Sequence, residues 1–143
     1  MREKTLKFLG LMRRANALQV GENNAGEAVR GGKAKLLLLA SDASDNARKR
    51  AESFVGGRSC LLLPLPFTKE ELGDALGQGG CSMAAVTELG FANALVKRLQ
   101  ELDPEAYRDA AGEVARRFSR AERRKSETAR ERDKRNGKRR TNV

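Results

Sequence analysis

An α/β fold, with a largely parallel or mixed central sheet and helices on both faces, is predicted by three observations. Helical and strand patterns alternate along the chain, one run of consecutive leucines is apolar enough for a central strand, and Gly or Pro punctuation separates the segments. Leu6, Leu9 and Arg13 share one side of a first helix, while Phe8, Leu11, Met12 and Ala15 fill the adjoining face, the pattern of a helix packed broadly against a sheet. A polar turn follows, and Asn23 to Arg30 reads as a short helix stopped by Gly31 and Gly32. Lys35 to Ala40 is then a run of strand length, apolar throughout after its lysine and therefore central.

Ser41-Asp42-Ala43-Ser44-Asp45 offers N-caps and acidic first-turn groups for a helix on which Ala47, Ala51 and Phe54 recur at helical spacing, with Gly56-Gly57 at its end. Ser59 to Leu63 is a second short strand, closed by Pro64 and Pro66, which cannot donate to a ladder. Thr68-Lys69-Glu70-Glu71 matches a capping box, so a helix should run to about Leu76 and end at Gly77. Gln78 to Ser82 reads as a flexible loop, Met83 to Thr87 as a third strand, and Leu89 to Leu99 as a helix with Leu95, Leu99 and Leu102 on one stripe.

Asp103-Pro104-Glu105 combines an N-cap, a proline at the first helical position and a first-turn acid, a fresh helix start. Tyr107, Ala111, Val114, Phe118 and Ala121 follow at alternating spacings of four and three, a narrow apolar seam. It can lie on the chain's own domain or on another protein; a C-terminal helix usually packs back, which favours the first. From Arg123 to Val143 no apolar side chain larger than alanine intervenes, so this end is expected to fray or be disordered when free. The expected organisation is a folded domain over residues 1–102 and a basic helical or disordered tail over 103–143, without internal repeats.

Charge is distributed unevenly. Arg108 to Val143 holds 14 Lys or Arg against 6 Asp or Glu, which is +8 of the total +10, leaving +2 for the rest. This asymmetry points to a polyanion partner for the tail, and to nucleic acid over membrane because the basic segment lacks the apolar face of an interfacial helix; a solvated tail is the plainer alternative. The chain has no histidine, and its two cysteines, Cys60 and Cys81, fit neither a zinc-finger spacing nor a Cys/His catalytic pair. Cys60 is expected within a buried strand and Cys81 in an exposed loop. The glycines match neither a P-loop nor a dinucleotide fingerprint, and Asp42 and Asp45 read as helix caps, so no enzyme, metal or cofactor is expected. The N-terminus resembles no signal peptide and no stretch approaches a membrane span, which leads to the expectation of a cytoplasmic protein with free thiols, monomeric and unattached to membrane.

The segment from Val20 to Ala40 carries the strongest functional signal. Glycine lets backbone approach a ligand closely, the first helical turn offers unpaired N–H groups to phosphate, and Asn23 and Asn24 carry amides able to read base edges. The plain alternative is a tight connection whose polar residues only cap the helix.

The series Leu9-Gly10-Leu11-Met12-Arg13-Arg14-Ala15, Gly21 to Asn24, Arg30-Gly31-Gly32-Lys33-Ala34-Lys35-Leu36, Ala40-Ser41-Asp42-Ala43-Ser44 and Glu71-Leu72-Gly73-Asp74-Ala75-Leu76-Gly77 resembles the kink-turn RNA-binding family of large-subunit ribosomal proteins, the L-seven-Ae and L-thirty-e group. Its short bacterial members are the more similar, through a Gly-Lys-Ala-Lys run before a strand, an Ala-Ser-Asp-Ala-Ser turn and Val86-Thr87-Glu88-Leu89-Gly90-Phe91-Ala92. The resemblance spans roughly Lys4 to Leu99 and leaves out the basic tail.

The resemblance implies a three-layer α/β/α sandwich with a mixed four-stranded sheet, and a non-enzymatic RNA-binding protein of the translation apparatus whose partner is structured RNA, ribosomal or kink-turn-like. It implies that Gly21, Glu22, Asn23, Asn24 and Glu27, with Arg30 beside them, enter a widened groove next to sheared G·A pairs. Asn23 falls on the asparagine that meets such a pair, and Gln78 to Met83, including Gly80, Cys81 and Ser82, fall on a second RNA-facing loop. Two positions depart: Asn24 stands where these binders usually carry glutamate, and Glu27 where they usually carry a lysine that approaches guanine. Glu27 replaces attraction to RNA by repulsion, or accepts from a base amino group, or points to solvent beside Arg30. From charge, Arg123, Arg124, Lys125, Arg135, Lys138, Arg139 and Arg140 are the candidate phosphate contacts of the tail. The competing expectation is an adaptor whose Tyr107 to Ala121 seam docks a protein partner, with kink-turn recognition weakened or lost.

Overall fold

The computed structural model describes residues 1–141, with side chains described for residues 1–135. In chain order the elements are α1 (Arg2–Arg14), β1 (Leu18–Val20), α2 (Glu22–Arg30), β2 (Leu36–Leu39), α3 (Asp45–Val55), β3 (Leu61–Pro64), α4 (Lys69–Leu76), β4 (Met83–Val86), α5 (Leu89–Leu102) and α6 (Pro104–Thr141). The strands form one mixed sheet in the order β1-β4-β2-β3, with β2 and β3 parallel and β4 antiparallel to both β1 and β2. This is the three-layer sandwich on a mixed four-stranded sheet that the family resemblance implies.

The leucine run is central because it feeds two cores. Leu36 and Leu38 point into a cluster with Leu9, Met12, Leu95 and Leu99 on one face, whereas Leu37 and Leu39 point into a cluster with Ala25, Val29 and Ala51 on the other. All four are essentially inaccessible to solvent, and each contributes about 1.5 to 3 kcal/mol by burial. The caps also form as predicted: Ser44 Oγ accepts from the Ala47 amide at the start of α3, the Thr68–Glu71 capping box is complete in both directions, and Gly77 closes α4 in the left-handed conformation.

Some expectations need correction. Residue patterning locates three strands and passes over β1, because three residues with the polar Gln19 in the middle carry no readable alternation; pairing with β4 creates the strand. β3 starts at Leu61, two residues later than expected, and includes Pro64, which an edge strand tolerates because its free side needs no donor. On α1, Leu11 is 46% exposed and Ala15 is also exposed, while Thr5 and Gly10 are buried. The helix packs on α4 and α5 more than on the sheet: a Cβ at Gly10 would lie 2.9 Å from the Ala75 carbonyl oxygen, and Arg13 reaches across to the Leu76 carbonyl.

The apolar seam of α6 docks on the chain's own domain. Tyr107, Ala111 and Val114 are buried in the core shared with α1 and α5, and Phe118 and Ala121 are half-buried. The adaptor expectation thereby loses the surface it needs. Beyond Ala121 the helix continues without a core, the helical alternative for the tail: Arg, Lys, Glu and Ala are strong helix formers, Lys125 pairs with Glu122 at 3.7 Å, and the Thr128 hydroxyl donates to the Arg124 carbonyl at 2.9 Å. At 1.5 Å per residue the 38-residue helix is about 57 Å long, more than its buried half needs.

Candidate nucleic-acid interface

Gly21 forms the hinge between β1 and α2. Its φ of 98° is open to glycine and strained for other residues, and this conformation turns the chain directly from strand into helix. The Gly21 amide donates to the Met83 carbonyl at 3.0 Å and its own carbonyl accepts from Ala25 at 2.8 Å, so the turn is tied both to β4 and to the first turn of α2. No side chain caps α2, which leaves its leading N–H groups directed outward as a site of partial positive charge.

The second predicted loop lies beside this turn. β4 runs antiparallel to β2, so Met83 sits opposite Leu39, and the Ala40 amide donates to the Ser82 carbonyl at 2.9 Å. The Gly21 turn, the Ala40–Asp42 turn and the 78–82 loop thus share one end of the sheet. The loop is stapled down: Gln78 Nε2 donates to the Gly80 carbonyl, the Cys81 amide donates to Lys69, and a Cβ at Gly73 would meet Gly80 at 2.7 Å. Gly80 is exposed and Ser82 half-exposed. Cys81, expected to be exposed, is buried in the cluster that holds Leu72 and Leu76, and its thiol donates to the Met83 carbonyl at 3.3 Å; burial pushes the thiol pKa up. Met83, the first residue of β4, is buried in the cluster on the opposite face of the sheet, so neither side chain is offered to a ligand.

The polar residues of α2 have distinct surroundings. Asn23 is exposed and, among the described residues, its amide has no hydrogen-bond partner, so both its donor and acceptor face solvent beside the uncapped helix start. Asn24 is exposed too, but its Nδ2 is committed to the Val20 carbonyl at 3.0 Å. Glu22 pairs with Arg50 of α3 at 3.1 Å, with its other carboxylate oxygen buried and unpartnered. Glu27 is exposed, forms no ion pair among the described residues, and lines a groove of about 460 Å³ with Gln19, Asn24 and Lys33. Arg30 lies apart: eight residues along the helix place it about 12 Å from Glu22, where its guanidinium stacks 5.5 Å from the Phe54 ring. Gly26 permits that packing, since a Cβ there would sit 2.6 Å from the same ring.

Sequence reasoning missed Arg50, Gln19 and Lys33, which border the turn and its groove from α3, β1 and the loop before β2. No spacing rule links residue 22 to residue 50; only the packing of α2 on α3 joins them. In the tail, Arg123, Arg124, Lys125 and Arg135 are exposed on α6, while the side chains of Lys138, Arg139 and Arg140 lie outside those described.

The fold matches solved structures. A Giardia lamblia 15.5kD RNA binding protein, 20% identical, aligns with a TM-score of 0.55 over 68% of this chain and 85% of its own. A Bacillus halodurans protein described as of unknown function aligns with a TM-score of 0.62 at 29% identity, over 68% of this chain and 97% of its own. In sequence, the chain is 36% identical over 96 residues to the RNA-binding protein YlxQ of Bacillus subtilis, covering 64% of this chain and 91% of that protein. The chain belongs to the YlxQ family. No protein-family model matches it. The aligned portions leave out about a third of this chain, a share similar in size to the 38-residue α6.

Proposed function

We propose that this chain is a cytoplasmic, non-enzymatic RNA-binding protein of the translation apparatus that grips a bent, kink-turn-like RNA at the Gly21 turn, with the basic tail adding phosphate contacts. The observation that carries this reading is the pairing, at one end of a rigid sheet, of the free Asn23 amide on an uncapped helix start with the exposed backbone of Gly80 and Ser82. Helix N–H groups hold phosphate, the amide reads a base edge, and the glycine bend lets backbone come within contact distance. Membership of the YlxQ family supports RNA as the ligand. Glu27 modifies this reading, because its carboxylate stands on the same face as Asn23 and lowers the affinity a cation there would give.

The test compares two RNAs of equal length, one with a kink-turn internal loop and one an unbent duplex. Asn23→Ala is expected to weaken the kink-turn complex by about 10- to 100-fold, since one good base contact is worth about 1 to 3 kcal/mol, and to leave the duplex complex nearly unchanged. Equal losses on both RNAs would refute recognition at the turn.

A further inference from the structure

We infer that the chain carries a second RNA site, a groove for a duplex phosphate backbone at the end of the sheet opposite the Gly21 turn, and that it holds two RNA segments at once. The simultaneous holding rests on the reading of the Gly21 turn given above; the groove itself does not.

The direction of α6 fixes the location. β2 and β3 run parallel, so Lys35 and Ser59 lie just before their N-terminal ends, while Leu39 and Pro64 lie at the C-terminal ends beside Met83 and the Gly21 turn. The Tyr107 hydroxyl donates to the Pro64 carbonyl at 2.6 Å, and ten residues later Arg117 Nη1 donates to the Ser59 carbonyl at 2.6 Å. The helix therefore crosses the sheet from the turn end to the far end and leaves the domain there. Extended backbone from Lys35 to Ala40 separates the two ends by about 17 Å.

At the far end, α6 and the start of the sheet enclose a groove of about 510 Å³ lined by Lys35, Arg117, Arg120 and Arg124. Glu113 also faces it, but Arg116 and Arg117 grip that carboxylate at 2.8 and 2.9 Å and hold its pKa below the ordinary range. Among the described residues, Lys35, Arg120 and Arg124 form no ion pair. Three cations thus converge on one concave surface with the nearest carboxylate already neutralised, and their mutual repulsion is relieved by an anion.

The form of the site selects an extended anion. Arg120 and Arg124 are one turn apart, about 6 Å along the axis, and exposed Arg132 and Arg135 continue the row along the overhanging helix, with Lys125 paired to Glu122 and Asp133 beside Arg132. A small anion would use one end of such a row. A nucleic-acid backbone uses all of it, gaining from each phosphate neutralised. The groove offers no aromatic platform for unstacked bases, which favours duplex over single strand.

The experiment uses the full chain with two labelled RNAs, a short unbent duplex and a kink-turn RNA. The triple variant Lys35→Glu, Arg120→Glu, Arg124→Glu is expected to lose duplex affinity by about tenfold or more at moderate salt, and to flatten the slope of log K against log salt by about 2 to 3. Its preference for kink-turn over duplex should rise, while Asn23→Ala should abolish that preference and keep the duplex slope. The milder Arg120→Gln, Arg124→Gln pair should lie between the wild type and the triple variant, with thermal midpoints unchanged in both. Wild-type protein saturated with kink-turn RNA should still take up duplex into a ternary complex. The groove is overturned if the triple variant keeps the wild-type duplex affinity and slope, or if poly-glutamate of matched charge binds the wild type as tightly as duplex. Simultaneous holding is overturned if kink-turn RNA displaces duplex one for one. Loss of duplex binding in the triple variant of a protein that never preferred the kink-turn would uphold the groove and sink the reading of the Gly21 turn.

Discussion

Tyr107 of α6 donates its hydroxyl to the Pro64 carbonyl of β3 at 2.6 Å, closing the edge of the sheet with a side chain from the C-terminal helix. β3 is an edge strand, and α6 ties both of its ends, here at Pro64 and through Arg117 at Ser59. Covering an edge in this way removes a template for pairing between chains. Tyr107→Phe is expected to cost about 0.5 to 1.5 kcal/mol, the loss of one hydrogen bond to a carbonyl that solvent can reach.

The same residue gives a pH dependence. Burial, with Asp103 nearby, raises the Tyr107 pKa from 10 to about 12. Deprotonation is then easier in the unfolded chain than in the folded one, so the contribution of the phenol is complete below pH 10 and is lost as pH rises towards 12, by up to about 2 to 3 kcal/mol. Urea unfolding across that alkaline range should show a steeper fall for the wild type than for Tyr107→Phe. Parallel curves would contradict the assignment.

Asn23 and Asn24 are adjacent and should behave oppositely. Asn24→Ala removes the bond to the Val20 carbonyl and should lower stability by about 0.5 to 1.5 kcal/mol. Asn23→Ala removes an exposed amide with no internal partner and should change stability by less than about 0.5 kcal/mol, whatever it does to RNA binding. Denaturant midpoints of the two variants decide this. A destabilised Asn23→Ala would reveal a structural role for that amide.

These contrasts show what a linear reading can reach. The leucine strand, the Thr68 capping box, the glycine stops and the tail seam were legible because each is a local rule acting within about one or two turns of chain. β1 was not, since Gln19 interrupts three residues whose strand character comes from β4. Cys81 departs from the exposure that a glycine-rich loop predicts, because the loop folds its one apolar side chain under itself. The division of labour between Asn23 and Asn24, and the Glu22–Arg50 pair, depend on α2 packing against neighbours distant in sequence. Also invisible was the direction of α6 across the sheet, on which the location of the positive charge depends.

The capping box gives an acid-side prediction. Glu71 accepts from the Thr68 amide and from Arg2, and these bonds lower its pKa below the ordinary carboxylate value. A depressed pKa means a contribution present at neutral pH and lost as pH falls through the folded-state value. Glu71→Gln should therefore flatten the acid limb of the stability profile, and Thr68→Ala should cost about 1 kcal/mol at neutral pH. An acid limb unchanged by Glu71→Gln would show that the carboxylate contributes nothing by its charge.

Glu27 offers the sharpest test of how this chain meets RNA. Its carboxylate is exposed on α2, one helical turn from Asn23, and makes no ion pair among the described residues, so replacing it disturbs no internal contact. Glu27→Lys removes a repulsive charge and installs an attractive one on the face that carries the turn. If RNA lies against that face, kink-turn affinity should rise by tenfold or more at low salt, and the salt slope should steepen by roughly one contact, about 0.7 to 0.9. Duplex binding at the far end of the sheet should change much less, because Glu27 does not line the groove beside Lys35. Fluorescence titrations at several salt concentrations measure both quantities together. An affinity gain equal for kink-turn and duplex would mean that Glu27 acts only through net charge, and an unchanged affinity would place the RNA on another surface.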